Sequence, residues 1–188
     1  MKHLLKFFIF VSLNVSTGLG QENTNNDTLY LPDGAYLYPN LPKFQVYGKP
    51  ATPEDGEAMM SLLRRFGQAW GSGDVEATIA TYADDVEWTN AFGVIVKGSD
   101  NLKNFFTWLF SRDTTTAGGS SETSNSKLIS LRYMGDDVAI YHSMTLSSRG
   151  ESRSGEGMRR NHVTIILEKK DDEWKIAYQM IMDERDRN

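Results

Sequence analysis

The spacing of apolar residues divides the chain into a helical first half and a strand-rich second half. Met59, Leu62, Leu63, Phe66 and Trp70 recur at i, i+3, i+4, i+7 and i+11, which is one stripe of an amphipathic helix. Thr52-Pro53-Glu54-Asp55 supplies its start: a hydroxyl cap, proline in the first turn, and acids where the helix dipole favours them. Gly71 and Gly73 end it. Asp74 is placed to cap a short second helix carrying Val75, Ile79 and Tyr82. Val86-Glu87-Trp88-Thr89 alternates as a strand, Phe92-Gly93 marks a turn, and Val94–Lys97 continues as a second strand. A third helix begins at Ser99 and buries Leu102, Phe105, Phe106, Leu109 and Phe110, with Trp108 about 120° away from that stripe.

Residues 112–126 are a threonine-, serine- and glycine-rich stretch that cannot pack a core and reads as a loop. Four strand patterns follow: Leu128–Met134, Val138–Leu146, His162–Leu167 and Trp174–Met182, the last pair joined by a turn at Lys170–Glu173. Three helices followed by a run of antiparallel strands predict an α+β domain over residues 53–188.

The N-terminal quarter has a different character. Residues 1–20 have the form of a secretory signal peptide: Lys2, His3 and Lys6, an apolar run from Leu4 to Leu13, and small residues at Gly18-Leu19-Gly20. The expected destination is the periplasm or the exterior. Residues 21–52 form a leader, polar and asparagine-rich to Thr28. Beyond that, Tyr30, Tyr36, Tyr38, Phe44 and Tyr47 are interspersed with Pro32, Pro39 and Pro42, which exclude helix and central strand. Two readings of this segment stand, an extended arm lying on the domain or a partner subunit, and a plain linker.

The formal charge of −5 becomes −7 without Lys2 and Lys6, and this argues against nucleic acid or an anionic membrane as partner. Arg149, Arg153, Arg159 and Arg160 are interleaved with Glu151 and Glu156 and read as a solvated hairpin tip. With no cysteine, the domain depends on its hydrophobic core for stability.

Three short segments carry a resemblance. Tyr82-Ala83-Asp84-Asp85-Val86 before the first strand, Gly93 to Gly98 as turn and second strand, and Trp174-Lys175-Ile176 opening the last strand resemble the SnoaL-like and ketosteroid-isomerase-like branches of the nuclear transport factor 2-like superfamily. The likeness covers residues 53–183 by element order. It implies a cone-shaped curved sheet with the helices packed on its concave face, a pocket at the open end of the cone, no cofactor, and a homodimer through the sheet. Where isomerase relatives carry a tyrosine on the first helix and an aspartate on the first strand, this chain has Phe66 and Asn90. A phenyl ring has no hydroxyl to donate to an oxyanion, and an amide is no base near neutral pH, so steroid-isomerase chemistry is not expected.

Candidate site residues follow from strand alternation. Trp88, Asn90 and Phe92 share one face of the first strand; with Phe66 and Tyr82 they form one expected wall of a ligand pocket, against the alternative that Trp88 and Phe92 are core and Asn90 serves the turn. Tyr178, Met180 and Met182 share a face of the last strand, read either as a second, adaptable wall or as core. His142 and His162 lie mid-strand on neighbouring strands and are the candidate acid/base pair, against the alternative of two hydrogen-bonded sheet histidines. No ligand spacing for a metal is present. The expected role is binding, or transforming without a cofactor, a small hydrophobic or mixed-polarity organic molecule by lyase, cyclase or isomerase chemistry. The alternatives are a binding module without chemistry and a dimerisation or protein-interaction domain.

Overall fold

The structure, a computed structural model, describes residues 33–36, 39–112, 122, 125–147 and 158–184. The proposed signal segment, the polar start of the leader, and Arg149 and Arg153 of the arginine-rich tip lie outside these residues. The chain divides into two units, 1–36 and 37–188. Of the first, only a turn at Asp33–Tyr36 is described. The regular elements of the described residues lie in the second.

These are β1 (Gln45–Tyr47), α1 (Pro53–Ser72), α2 (Val75–Ile79), β2 (Tyr82–Thr89), β3 (Ile95–Lys97), α3 (Ser99–Arg112), β4 (Lys127–Tyr133), β5 (Val138–Ser147), β6 (Arg159–Lys170) and β7 (Glu173–Asp183). The caps expected from sequence are in place. Thr52 Oγ1 accepts from the Asp55 amide, Asp74 accepts from the Ala77 amide, and Gly73 closes α1 with φ of 70°, where a side chain would be strained.

Among the described residues, seven strands form one curved, unclosed sheet in the order β1-β4-β5-β6-β7-β2-β3, with the helices α1, α2 and α3, an α+β architecture. Two junctions depart from the antiparallel expectation: β1 runs parallel to β4, and β2 runs parallel to β7. Strands distant in sequence have no hairpin to set their direction, so these pairings were not legible from turns. Within the aromatic leader, Gln45–Tyr47 adds to the sheet edge, and the Arg132 guanidinium lies 4.0 Å from the Tyr47 ring centroid. The β6–β7 turn falls on Asp171 and Asp172, both at positive φ, as a two-residue hairpin with aspartate requires.

The core lies between the helices and the sheet. Phe106 of α3 is fully buried among Trp70, Tyr82, Trp88, Phe105 and Phe110, with ring centroids 5.2–6.2 Å apart across this cluster. Asp55 fastens the start of α1 to the sheet. Its carboxylate accepts from Thr52 Oγ1 at 2.9 Å and Trp174 Nε1 at 3.1 Å, and pairs with Lys169 Nζ at 3.0 Å. The Lys169 bond, with those of Trp174 and Thr52, holds the Asp55 pKa down to about 2. Among the described residues no helix is long and apolar enough to cross a membrane.

Tyr82 opens β2 instead of closing α2. The strand is irregular between Tyr82 and Glu87 and exposes Asp84 and Asp85, which breaks the alternation that would have marked its true start.

Candidate functional site

A cavity of about 560 Å³ lies between α1, α3 and the inner face of the sheet. The register arranges its sheet wall in rows. Tyr141, Ile165, Gln179 and Trp88 lie side by side across β5, β6, β7 and β2. Ser143, Val163 and Ile181 form the next row, then Thr145 and Asn161, and finally Ser147 and Arg159. Leu63, Phe66 and Trp70 from α1 and Phe105 and Leu109 from α3 supply the apolar wall.

Trp88, Asn90, Phe92 and Phe66 all line this cavity. Asn90 also serves the turn: its Oδ1 accepts from the amides of Phe92 and Val94, both at 2.9 Å. Asn90 thus lines the cavity and serves the turn at once. Phe92 is exposed at the turn, and the Arg159 guanidinium stacks on it at 4.4 Å from the ring centroid. Tyr82 lies behind the wall, where its hydroxyl donates to Gln179 Oε1 at 2.5 Å; burial pushes its pKa up.

The remaining candidates are elsewhere. Tyr178, Met180 and Met182 are on the outer face of β7, while Gln179 and Ile181 face the cavity. His142 and His162 are brought together, Nε2 to Nδ1 at 3.1 Å, and His162 Nε2 lies 3.1 Å from Glu184 Oε2. They too belong to the outer face, since their neighbours Tyr141, Ser143, Asn161 and Val163 point inward. A pair on that side cannot exchange protons with a molecule in the cavity. Burial, then the nearby His162, lowers the His142 pKa. Among the described residues no cluster of three or more His, Cys, Asp or Glu side chains is arranged to hold a metal.

The cavity also holds groups that sequence reasoning passed over. Glu122, in the stretch that the sequence reads as a loop but helical at this residue, accepts from Trp70 Nε1 at 2.6 Å and from the Ser147 hydroxyl, and its backbone carbonyl accepts from Thr145 Oγ1 at 2.6 Å. Arg159, read as part of a solvated tip, is 5% exposed and sits 3.4 Å from Asp183 Oδ2, while its neighbour Arg160 pairs with Glu184. Two buried polar atoms of cavity residues, Trp88 Nε1 and Asn161 Oδ1, have no hydrogen-bond partner among the described residues.

A family profile described as a SnoaL-like domain matches residues 63–177. No curated protein matches. Among solved structures, the chain is similar to a ketosteroid isomerase-like protein from Erwinia carotovora atroseptica at 16% identity, covering 72% of this chain and 100% of that one with a TM-score of 0.54. An NTF2-like protein of unknown function from Pseudomonas putida aligns at 19% identity over 73% of this chain and 92% of its own, TM-score 0.57. A cystatin-like fold from Nostoc punctiforme aligns at 21% identity over 72% and 96%, TM-score 0.52. At these identities the likeness is one of fold.

Proposed function

The chain belongs to the SnoaL-like domain family, and from that premise we propose that its cavity binds a small organic molecule with an apolar body and a few polar groups. The observation that carries this reading is the cavity itself, in which Phe66, Trp70, Phe105, Leu109, Val163 and Ile181 meet a smaller set of polar residues, Ser143, Thr145, Ser147 and Gln179 among them. The volume is within the range of small-molecule sites. Native mass spectrometry of the protein purified from its host should release a bound compound of this class. Wild-type protein that stays empty after incubation with host small-molecule extract would sink the reading.

A second reading adds cofactor-free lyase, cyclase or isomerase chemistry. It is favoured by Glu122, whose carboxylate is held at the cavity wall by Trp70 and Ser147 and is of the residue type that moves protons. It assigns no proton transfer to His142 or His162. With a bound compound in hand, Glu122→Gln should abolish turnover while retaining binding; unchanged turnover would exclude Glu122 from the chemistry. The outer face, where Met180 and Met182 are 43% and 55% exposed, is the proposed contact of a homodimer, read out by sedimentation.

A further inference from the structure

We propose that the carboxamide NH2 groups of Gln179 and Asn90 act together as a donor pair for one uncharged carbonyl oxygen of the ligand, with Tyr82 as the positioning residue that keeps Gln179 turned toward the cavity. The proposal rests on the small-molecule reading and narrows it to a class: ketones, esters or amides carried on an apolar skeleton.

The first observation is how the Gln179 amide is fixed. Gln179 is 2% exposed and lines the cavity, and the Tyr82 hydroxyl donates to its Oε1 at 2.5 Å from behind the wall. Burial pushes the Tyr82 pKa up, so the hydroxyl keeps its proton and needs an acceptor. Turning the amide over would set an NH2 group there and take that acceptor away. The oxygen and nitrogen of a carboxamide lie at opposite corners of one plane, so Nε2 is the corner that faces away from Tyr82. Among the described residues Nε2 has no hydrogen-bond partner, yet it is not one of the atoms closed off from solvent, as Trp88 Nε1 and Asn161 Oδ1 are. A buried side chain thus presents an open donor to the cavity.

The second observation is that Asn90 is fixed in the same sense. Its Oδ1 accepts from the amides of Phe92 and Val94, at 2.9 Å each, and an NH2 group in that place would meet two N–H donors. The nitrogen is therefore the half of the amide left for the cavity that Asn90 lines.

The third is placement. Gln179 is the cross-strand partner of Trp88, and Asn90 follows Trp88 by two residues. One strand spacing across and two residues along put the two Cα atoms about 8 Å apart. One oxygen accepts from both nitrogens when these lie within about 6 Å of each other, twice a hydrogen-bond length, and side chains of this size span the difference. The neighbours of Gln179 across the sheet, Trp88 and Ile165, are both apolar. A carboxylate there would lose its hydration against apolar groups at a large cost, whereas an uncharged carbonyl loses little and gains two donors.

The test uses three probes on the full chain: 2-acetylnaphthalene, 2-isopropenylnaphthalene, in which a CH2 group replaces the carbonyl oxygen at nearly the same shape, and 2-naphthoate. Calorimetry gives the affinities, and the infrared C=O stretch of bound 2-acetylnaphthalene reports the hydrogen bonds to its oxygen. The ketone should bind about tenfold tighter than the alkene, and tighter than naphthoate, with its stretch at lower wavenumber than in an apolar solvent. Asn90→Asp keeps an acceptor for the turn and loses the donor; Gln179→Met loses the donor at similar size. Each should cut the ketone's advantage about threefold and move the stretch part of the way back, with alkene affinity near that of wild type. Tyr82→Phe should also move the stretch back although Gln179 is still present, a change that a merely structural role of the hydroxyl would not produce. Equal affinity for ketone and alkene, tighter binding of naphthoate, or a stretch unmoved by Gln179→Met and Asn90→Asp would overturn the donor pair and leave the cavity reading intact. Failure of all three probes to bind would remove the cavity reading and this inference with it. Should Gln179→Met not fold, Asn90→Asp and the wild-type comparison of ketone with alkene decide the matter alone.

Discussion

Removing the ring of Phe106 should do more damage than any other single truncation on α3. The side chain is 0% exposed and lies against five other aromatic rings, with Trp70 at 5.3 Å and Trp88 at 5.4 Å in edge-on arrangements. Truncating a buried phenylalanine to alanine costs about 3–5 kcal/mol through lost transfer free energy and the cavity left behind. Ring pairs in such geometry add about 0.5–1.5 kcal/mol each beyond area burial, although pairs sharing one residue do not sum. The expected loss for Phe106→Ala is therefore at the upper end, about 5 kcal/mol. That is a large part of the roughly 5–15 kcal/mol typical of a folded domain. Phe105 is the internal control, because it is only half-buried and lines the ligand cavity. Phe105→Ala should cost clearly less stability and weaken ligand binding directly. Urea unfolding followed by circular dichroism and tryptophan fluorescence gives both free energies, and an unchanged m-value would assign the effect to the folded state. A loss below about 2 kcal/mol for Phe106→Ala, or one no larger than for Phe105→Ala, would refute the idea that this ring is the centre of the core.

Two further predictions concern pH. His142 has its folded pKa below the ordinary histidine value, so the unfolded chain takes up the proton first; stability is full above about 6.5 and declines as pH falls through the lowered value. His142→Asn should flatten the stability profile below about pH 6.5, and parallel profiles for variant and wild type would count against it. Asp55 is likewise held down, to about 2 from 3.8, so its contribution is present above 3.8 and lost between there and 2. Asp55→Asn should lower stability at neutral pH and remove that acid-side loss; acid titration followed by circular dichroism reads both.

Much of the fold was legible because local signals agreed: Thr52 and Asp74 as caps, the stripe from Met59 to Trp70, and the alternation in β5 and β6. The site was legible only in part. Strand alternation grouped the side chains by face, and on β2 the face chosen lines the cavity, whereas on β5, β6 and β7 the residues chosen lie on the other face. On β7, Met180 and Met182 are exposed while Gln179 is 2% exposed, the reverse of what hydrophobicity suggests. On β5 the cavity side carries Ser143, Thr145 and Ser147, and the outer side carries Ile140 and His142. A cavity wall that carries serine, threonine and glutamine mimics a solvated face in sequence. Glu122 was missed for another reason. It meets Trp70 across 52 residues, and a segment rich in serine and threonine gives no local sign of such a contact.

The placement of β1 bears on how the protein behaves at high concentration. A sheet grows where an unpaired strand offers a long row of backbone donors and acceptors to another chain. Here both outermost strands, β1 and β3, are three residues long, and β1 covers the flank of the seven-residue β4. Chain copies meeting edge to edge therefore find little template on either side. The short arm of Gln45–Tyr47 acts as a stopper against fibrous growth, and a version of the protein trimmed back to the first helix would lose it.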